Sequence, residues 1–157
     1  MSLIILLLIA TLPGELANTE SLLTMFVSPL VIPSHFSYHR KLTLKSIDKL
    51  RFRFKGKPLV YGILCRQTQC IYVGSTMVPS DRFYQHLISG VSSNDNLQDS
   101  LAEQGIANFT VFVFELVEFD PGMSYLNKVS KLRSVEQQYI NKFPKHRLYN
   151  PINALKE

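Results

Sequence analysis

A single carboxylate interrupts the apolar stripe of the predicted last helix. Apolar residues recur there at helical spacing, and Glu136 occupies the position between Val135 and Tyr139 on the same stripe. A carboxylate on a core-facing stripe is costly unless it is paired or binds a metal ion, so Glu136 is a candidate site residue. The alternative is that Glu136 lies at the edge of the stripe and reaches solvent.

A guanidinium and an imidazole lie one helical turn apart in the middle of the chain. Arg82 and His86 are at positions i and i+4 of a predicted helix and therefore project from the same side of it. Together, these two groups suit a phosphate. Two surface residues without a common task would show the same spacing.

Two tyrosines and two cysteines belong to a predicted β-hairpin. Tyr61 and Tyr72 lie on its two arms, where a tyrosine serves core packing more often than chemistry. Cys65 and Cys70 flank the turn and are the only cysteines of the chain. Two cysteines exclude a disulfide scaffold and a four-cysteine zinc site, so we expect free thiols.

These candidates require a small α/β domain to position them. The composition, 46% hydrophobic and 18% charged, is that of a globular protein and excludes a disordered chain. Two β-forming runs across a polar break predict the hairpin, and the apolar run Phe109–Val117 predicts a strand buried on both faces. Helices are predicted from Pro79 to Gly90, after the loop at 92–95, and from Tyr125 to Phe143. The order ββααβα predicts a three-stranded, mainly antiparallel sheet flanked by helices.

Positive charge is concentrated ahead of this domain. The stretch from Arg40 to Lys57 contains eight Lys or Arg residues and one acid, Asp48, whereas residues 58–157 contain nine basic and nine acidic residues. Interleaved with Phe52 and Phe54, this basic arm suits a polyanion such as DNA, because its charges release phosphate counterions and its rings can stack. A solvated, partly helical linker is the alternative.

The chain is therefore predicted to have three parts. Residues 1–56 form an apolar N-terminus and the basic arm, without clearly specified structure; residues 57–151 form the domain, and residues 152–157 a short tail. The apolar stretch from Leu3 to Leu12 is too short to cross a bilayer as a helix. No Lys or Arg precedes it. We therefore expect no integral membrane span, and the stretch matches neither a secretory signal nor a transit peptide.

The motifs of residues 57–151 together resemble those of the GIY-YIG nuclease family. The first motif is represented by Leu59-Val60-Tyr61 and the second by Tyr72-Val73-Gly74. Arg, His, Glu and Asn follow in the family's order and at its spacing, and the ββααβα order agrees with the family's fold. Leu59 stands where the family has Gly, which affects the local backbone more than the chemistry. The resemblance implies a site made of Tyr61, Tyr72, Arg82, His86, Glu136 and Asn150.

The resemblance also implies a metal-dependent DNA endonuclease that hydrolyses phosphodiester bonds. Glu136 would hold one divalent cation, Mg²⁺ or Mn²⁺, because one carboxylate with water and phosphate oxygens is a normal arrangement for such a hard ion. Arg82 would bind the phosphate oxygens as negative charge builds on them.

The other residues of the set would act on water and protons. By the resemblance, Tyr61 and Tyr72 would position or deprotonate the attacking water. Deprotonation requires a cationic neighbour, because a free phenol has a pKa of about 10. His86 would orient a tyrosine or shuttle the proton, and Asn150 would position a tyrosine or the backbone near the site.

Within the family, the pattern resembles the intron-encoded homing endonucleases of fungal mitochondria, which implies a mitochondrial location. Those members carry DNA-binding modules after the nuclease domain, whereas this sequence stops at Glu157. We therefore expect an endonuclease without a C-terminal recognition module. Two alternatives stay open: a repair-type or junction-resolving nuclease of the same fold, and a decayed or binding-only fragment of an intron-encoded reading frame.

Overall fold

The computed structural model describes residues 29–30, 32, 36–38, 41–91 and 94–150. They form an antiparallel sheet flanked by helices, which confirms the predicted α/β class. Among these residues no helix combines the length and apolar character needed to cross a bilayer. The apolar stretch from Leu3 to Leu12 and the tail at residues 152–157 lie outside the described residues.

The sheet of the described chain has four strands, in the spatial order β1-β4-β2-β3 with antiparallel neighbours throughout. The strands are β1 (Phe36–Tyr38), β2 (Leu59–Cys65), β3 (Ile71–Thr76) and β4 (Phe109–Leu116). Every residue of β2 is buried, because both faces of the sheet are covered. The three predicted strands are all present, β1 adds a short fourth strand, and β3 lies at one edge.

Four α-helices surround the sheet in this part of the chain. They are α1 (Leu44–Arg53), α2 (Pro79–Tyr84), α3 (Asp95–Gln104) and α4 (Tyr125–Ile140). Helix α2 continues as a π-helical turn, Gln85–Ser89, and ends at Gly90, whose φ of 67° is the left-handed geometry that glycine adopts easily. Single 3₁₀ turns follow at Ile106–Asn108 and Lys145–Arg147.

The predicted end of the last helix is three residues too late. Helix α4 stops at Ile140, and the chain reaches Phe143 through a hydrogen-bonded turn before Pro144. Phe143 is nevertheless buried against the same apolar cluster as Ile140, so the stripe continues beyond the helix. The apolar spacing therefore identified the buried face correctly but not the helix boundary.

The two faces of the sheet are covered by different helices. Helices α1, α2 and α3 pack on one face, where their buried residues Ile47, Phe83 and Leu97 join the same cluster as Tyr61 of β2. Helix α4 packs on the other face. Its buried residues there are Leu132 and Ile140, which pack with Val60, Val73, Phe112 and Phe114 of the strands. The edge strand β3 therefore lies between α2 on one side and α4 on the other.

The basic arm is not a separate segment ahead of the domain. Helix α1 starts with a capping box between Thr43 and Ser46, and its residues Ile47 and Leu50 are buried in the core together with Leu42. The expectation that residues 1–56 have no specified structure is thus wrong for 36–38 and 41–56. The abundant charges obscured an apolar face that repeats at helical spacing.

Candidate active site

A cleft of about 740 Å³ opens at the edge strand β3, between α2 and α4. It is lined by Tyr72, Ser75, Arg82, Arg133, Ser134, Glu136, Gln137, Gln138 and Asn141. Three of the predicted site residues therefore meet in one cleft: Tyr72 from β3, Arg82 from α2 and Glu136 from α4. Helices on opposite faces of the sheet can reach the same cleft because β3 is an edge strand.

Glu136 is half-buried, and its carboxylate accepts a short hydrogen bond from the hydroxyl of Ser75 on β3. Burial raises the pKa of Glu136 above its usual value, while the hydrogen bonds from Ser75 and the charges of Arg133 and Arg82 offset part of that rise. The stripe position thus brings Glu136 to the cleft, where its side chain is partly exposed. A carboxylate held in this way is a ready cation ligand.

Arg82 contributes a guanidinium to the same cleft. Its Nη1 donates to Gln85 Oε1 at 3.3 Å, within the same helical segment. No ion pair of the described residues includes Arg82. Its charge therefore stays available for an anionic group in the cleft, and a guanidinium fits phosphate oxygens well.

Tyr61 and Tyr72 project from the same face of the hairpin. Tyr61 is opposite Gly74 in the register of β2 and β3, and the two phenol rings lie 6.1 Å apart between centroids. Burial raises the pKa of Tyr61 well above its ordinary value and also raises that of Tyr72, which the charge of Glu136 raises further. Both phenols are therefore protonated at neutral pH, and only Tyr72 lines the cleft.

Gly74 is the residue that lets the two phenols lie together. A Cβ at this position would lie 2.8 Å from the Tyr61 hydroxyl and 2.7 Å from Cε1 of Tyr72. Both distances are shorter than any van der Waals contact, and Tyr61 is fully buried, so an added Cβ would force at least one of the two rings to shift. The motif that carries Gly74 was recognised in the sequence, but this packing role was not.

His86 lies behind Tyr72 and not in the cleft. It is 1% exposed, and its ring lies 5.0 Å from the ring of Tyr72 and 6.0 Å from that of Tyr61. Burial lowers the pKa of His86 to about 4, and the charge of Arg82 acts in the same direction, so the imidazole is neutral at pH 7. Arg82 and His86 were predicted to project together from one side of their helix, but Arg82 lines the cleft and His86 is buried.

Both ring nitrogens of His86 are buried and lack hydrogen-bonding geometry to any described residue. Native proteins pair the great majority of such atoms, so two unpaired nitrogens on one ring are unusual. The ring that carries them lies 5.0 Å from the ring of Tyr72, between centroids.

Asn150 does not enter the cleft. Its side-chain amide binds both backbone groups of Val73, the residue between Tyr72 and Gly74. The chain just before it also pairs with β3, because Tyr149 N donates to Ile71 O at 2.9 Å. Asn150 therefore holds the backbone of β3 beside Tyr72.

The described residues contain no cluster of three or more His, Cys, Asp or Glu side chains that could hold a metal ion. A cation in the cleft would therefore have Glu136 as its carboxylate ligand, with the remaining positions taken by water and substrate oxygens. This donor set fits a hard ion such as Mg²⁺, which keeps several waters and is bound through one or two carboxylates. Cys65 and Cys70 are free thiols, as expected.

Sequence reasoning missed several residues of the cleft, most of them on α4. They are Ser75, Arg133, Ser134, Gln137, Gln138 and Asn141. The available signal was their helical spacing of three and four residues, but a polar stripe with this spacing is also what an ordinary solvated helix face shows.

A family model described as the GIY-YIG catalytic domain matches residues 57–150. The match covers more than half of the chain and includes every residue of the predicted site. The searches of curated proteins and of solved structures each returned no match.

Proposed function

The chain belongs to the GIY-YIG family of nucleases, and on this basis we propose that it is a metal-dependent DNA endonuclease that hydrolyses phosphodiester bonds. The observation that supports the proposal is the meeting of Arg82 and Glu136 in one cleft, with Tyr72 beside them. An anion-binding group and a carboxylate that can hold a cation can stabilise the charge that develops in phosphodiester hydrolysis, and a phenol hydroxyl beside them can orient the attacking water.

Arg82 binds the oxygens of the scissile phosphate. Negative charge on these oxygens increases in the transition state, so a fixed guanidinium stabilises the transition state more than the bound substrate. No carboxylate of the described chain forms an ion pair with Arg82, so its positive charge is available to the phosphate.

Glu136 would hold the divalent cation, Mg²⁺ or Mn²⁺. The hydroxyl of Ser75 orients the Glu136 carboxylate for this role. When bound, the cation supplies Lewis-acid stabilisation of the charge on the phosphate. Burial raises the pKa of the Glu136 carboxyl group although Ser75, Arg133 and Arg82 act against that rise, and a cation bound to the carboxylate would lower the pKa.

Tyr72 orients the attacking water through its hydroxyl. Its raised pKa favours this positioning role over that of a phenolate base at neutral pH. Tyr61 and the neutral His86 support Tyr72 from the buried side, and Asn150 fixes the strand that carries it. These three are positioning residues, since none of them lines the cleft.

DNA is further held by helix α1, whose exposed face is strongly basic. Lys45, Lys49 and Arg53 follow one another at four-residue spacing and are all exposed, and Lys55 and Lys57 continue the charge beyond the helix. Residues 58–157 have no net charge, so α1 supplies the long-range attraction to a duplex.

Helix α1 is fixed to the helix that carries the cleft arginine. Arg51 donates from Nε to the carbonyl oxygen of Ser80 at 2.9 Å, and its guanidinium lies 4.9 Å from the ring centroid of Tyr84. Both partners belong to α2, as does Arg82. Phosphate contacts made by α1 therefore place the duplex at a defined position relative to the cleft.

The contribution of α1 is testable by point substitutions. Deleting residues 1–56 would expose the core that Ile47 and Leu50 fill, so we use Lys45→Gln/Lys49→Gln in place of a truncation. If all five exposed charges meet phosphates, the slope of log K against log salt is about −4 to −5, and the double variant reduces its magnitude by about 2. Lys128→Gln/Lys145→Gln is the matched control, and equal slopes for the two variants would contradict the proposal.

The main experiment is a plasmid-nicking assay of the full chain with Mg²⁺, with Mn²⁺ and with excess EDTA. We expect cleavage only with a divalent cation, and none with Glu136→Gln. Glu103→Gln, which removes an exposed carboxylate on α3, is the control and retains activity. Full cleavage in EDTA would refute metal dependence, and DNA binding without cleavage under any condition would establish the binding-only alternative.

The homing-type origin and the mitochondrial location are also part of this proposal. They are supported only by the resemblance of the motif pattern described above. Expression of the chain with a fluorescent tag tests the location, and cleavage of random against defined target DNA tests the subtype.

A further inference from the structure

The α4 side of the cleft carries a polar surface to which the proposed mechanism gives no role. We call it the α4 wall; it consists of Arg133, Ser134, Gln137, Gln138 and Asn141. Glu136, which the mechanism does use, lies within this series. A surface of one cation, one hydroxyl and three amides beside a catalytic carboxylate can donate many hydrogen bonds to an anionic ligand.

The α4 wall is held in place by the cap and the core packing of helix α4 itself. Helix α4 begins with a cap in which the Ser124 hydroxyl accepts from Asn127 N, and Leu132 and Ile140 anchor its other side in the core. On the wall itself, Gln137 Nε2 donates to Asn141 Oδ1 at 2.9 Å, which orients one amide against the next. The backbone of the wall and the amides of Gln137 and Asn141 are therefore positioned before a ligand binds.

The charge of the wall suits an anion. Arg133 is exposed and forms no ion pair within the part of the chain that the structure describes. Glu136 is the only acidic residue of α4. Outside Glu136, a ligand approaching this wall meets only positive charge and neutral hydrogen-bonding groups.

The length of the wall matches several nucleotides. From residue 133 to residue 141 an α-helix rises about 12 Å, at about 1.5 Å per residue. One strand of a duplex rises about 3.4 Å per nucleotide, so the wall spans about three nucleotides. A single phosphate at Arg82 would leave most of this surface unused.

We propose that the α4 wall binds the backbone of the cleaved DNA strand next to the scissile phosphate, with Arg133 contacting a neighbouring phosphate and Gln137, Gln138 and Asn141 continuing the contact along that strand. This inference rests on the proposed function, because it assigns a second part of the same substrate. The contacts are to backbone atoms and therefore position the strand without reading its sequence.

Arg133 and Arg82 then have different tasks. Arg82 acts on the phosphate whose charge changes in the reaction, so it affects turnover. Arg133 acts on a phosphate whose charge stays constant, so it contributes equally to the bound substrate and to the transition state. Loss of Arg133 is expected to raise KM and leave kcat within about threefold.

The experiment measures binding in a Glu136→Gln background, and it measures turnover of the same substitutions in the otherwise unchanged chain. Binding of a fluorescein-labelled 20-bp duplex is measured against salt in EDTA, with Arg133→Gln and the control Lys131→Gln, both in a Glu136→Gln background. Lys131 lies on the same helix outside the cleft, where its Nζ donates to the carbonyl oxygen of Glu118. We expect Arg133→Gln to weaken binding about tenfold and to reduce the salt slope by about 0.9, the value for one lost phosphate contact, with little change for Lys131→Gln.

Two further variants separate specific contacts from bulk charge. Arg133→Lys keeps the charge and is expected to restore the salt slope, and Gln138→Ala weakens binding without changing the slope. Equal effects of Arg133→Gln and Lys131→Gln on affinity and slope would overturn the inference, as would a loss confined to kcat. These binding results do not depend on cleavage, so a protein that binds through the wall but never cleaves would refute the proposed function alone.

Discussion

The side-chain amide of Asn150 binds both backbone groups of Val73, accepting from its N–H at 2.9 Å and donating to its carbonyl oxygen at 2.7 Å. This pair of hydrogen bonds imitates the pairing of a neighbouring strand at an edge of the sheet that β2 does not cover. Val73 separates Tyr72 from Gly74. The last residue of the matched domain therefore controls the strand segment from which Tyr72 enters the cleft.

Asn150→Ala is expected to lower both stability and turnover. It removes two hydrogen bonds at a partly buried position, which destabilises the fold by about 1–3 kcal/mol. Asn150→Asp has the same shape but cannot donate to the Val73 carbonyl oxygen, so it is expected to be at least as damaging. Thermal melts and single-turnover cleavage measure the two effects. Asn127→Ala, at an exposed position of α4, is the control, and unchanged turnover of the Asn150 variants would contradict the positioning role.

Gly74→Ala is expected to reduce turnover by on the order of 100-fold, because displacing a catalytic group by about 1 Å has this effect. The new methyl group would displace the phenols of Tyr61 and Tyr72 and would destabilise the fold by about 1–3 kcal/mol.

Gly62→Ala is the matched control for Gly74→Ala. A Cβ at Gly62 would lie 2.5 Å from the ring of Phe114 in the cluster beneath α4, away from the two phenols. We expect Gly62→Ala to lower the melting temperature by a similar amount and to retain turnover at temperatures where it is folded. Equal turnover of the two variants at equal fraction folded would show that Gly74 serves stability alone.

Arg82→Ala is expected to lower kcat by about 10²–10³-fold, the usual effect of losing one donor to a charge that develops in the transition state. The affinity for DNA should change much less. Arg82→Lys should restore little activity, because an ammonium group cannot replace the planar pair of donors. A loss confined to affinity, with kcat at saturating DNA unchanged, would show that Arg82 is only a phosphate anchor.

Much of this fold could be predicted from the sequence, because several strands and helices are marked by residues that lie close together in the chain. Apolar runs and turn residues located β2, β3 and β4, and Glu136 stood out because it broke a helical stripe. Helix α1 was missed because its charges outweighed the apolar spacing of Ile47 and Leu50, whose burial depends on a tertiary contact. Strand β1, with three residues, is too short to show a period.

The arrangement of the site required the tertiary structure. The spacing of Arg82 and His86 placed them on one side of a helix, but it did not show that one would line a cleft and the other lie buried behind Tyr72. The burial of a helical residue depends on the elements that pack against the helix, and the spacing of residues along the helix does not reveal those elements. In the same way, Arg133 had the pattern of a solvated residue until β3 and α2 were placed beside it.

His86 is expected to make the stability of the protein depend on pH between about 4 and 6.5. Its pKa is lowered to about 4 by burial and by the charge of Arg82, whereas an unfolded chain has the ordinary value of about 6.5. Between these values the unfolded state binds more protons than the folded state, so stability falls as pH falls through this window. Each pKa unit corresponds to about 1.4 kcal/mol, which gives a loss of about 3.4 kcal/mol at most.

His86→Phe tests this assignment, because it keeps an aromatic ring but removes both unpaired nitrogens. We expect the variant to be more stable than the wild type at pH 7 by about 1–3 kcal/mol, since an unpaired buried polar group is destabilising. The difference in stability should increase as pH falls from 6.5 to 4, because the wild type loses stability in this range and the variant lacks the titrating imidazole. The raised pKa of Glu136 increases the stability of the folded state as pH falls. This contribution is present in both proteins, so it cancels in the difference between their stabilities. Cleavage should decrease in the same variant, because the support of Tyr72 is altered. Urea unfolding at several pH values gives the difference, and a constant gap between the two proteins would show that another group titrates in this range.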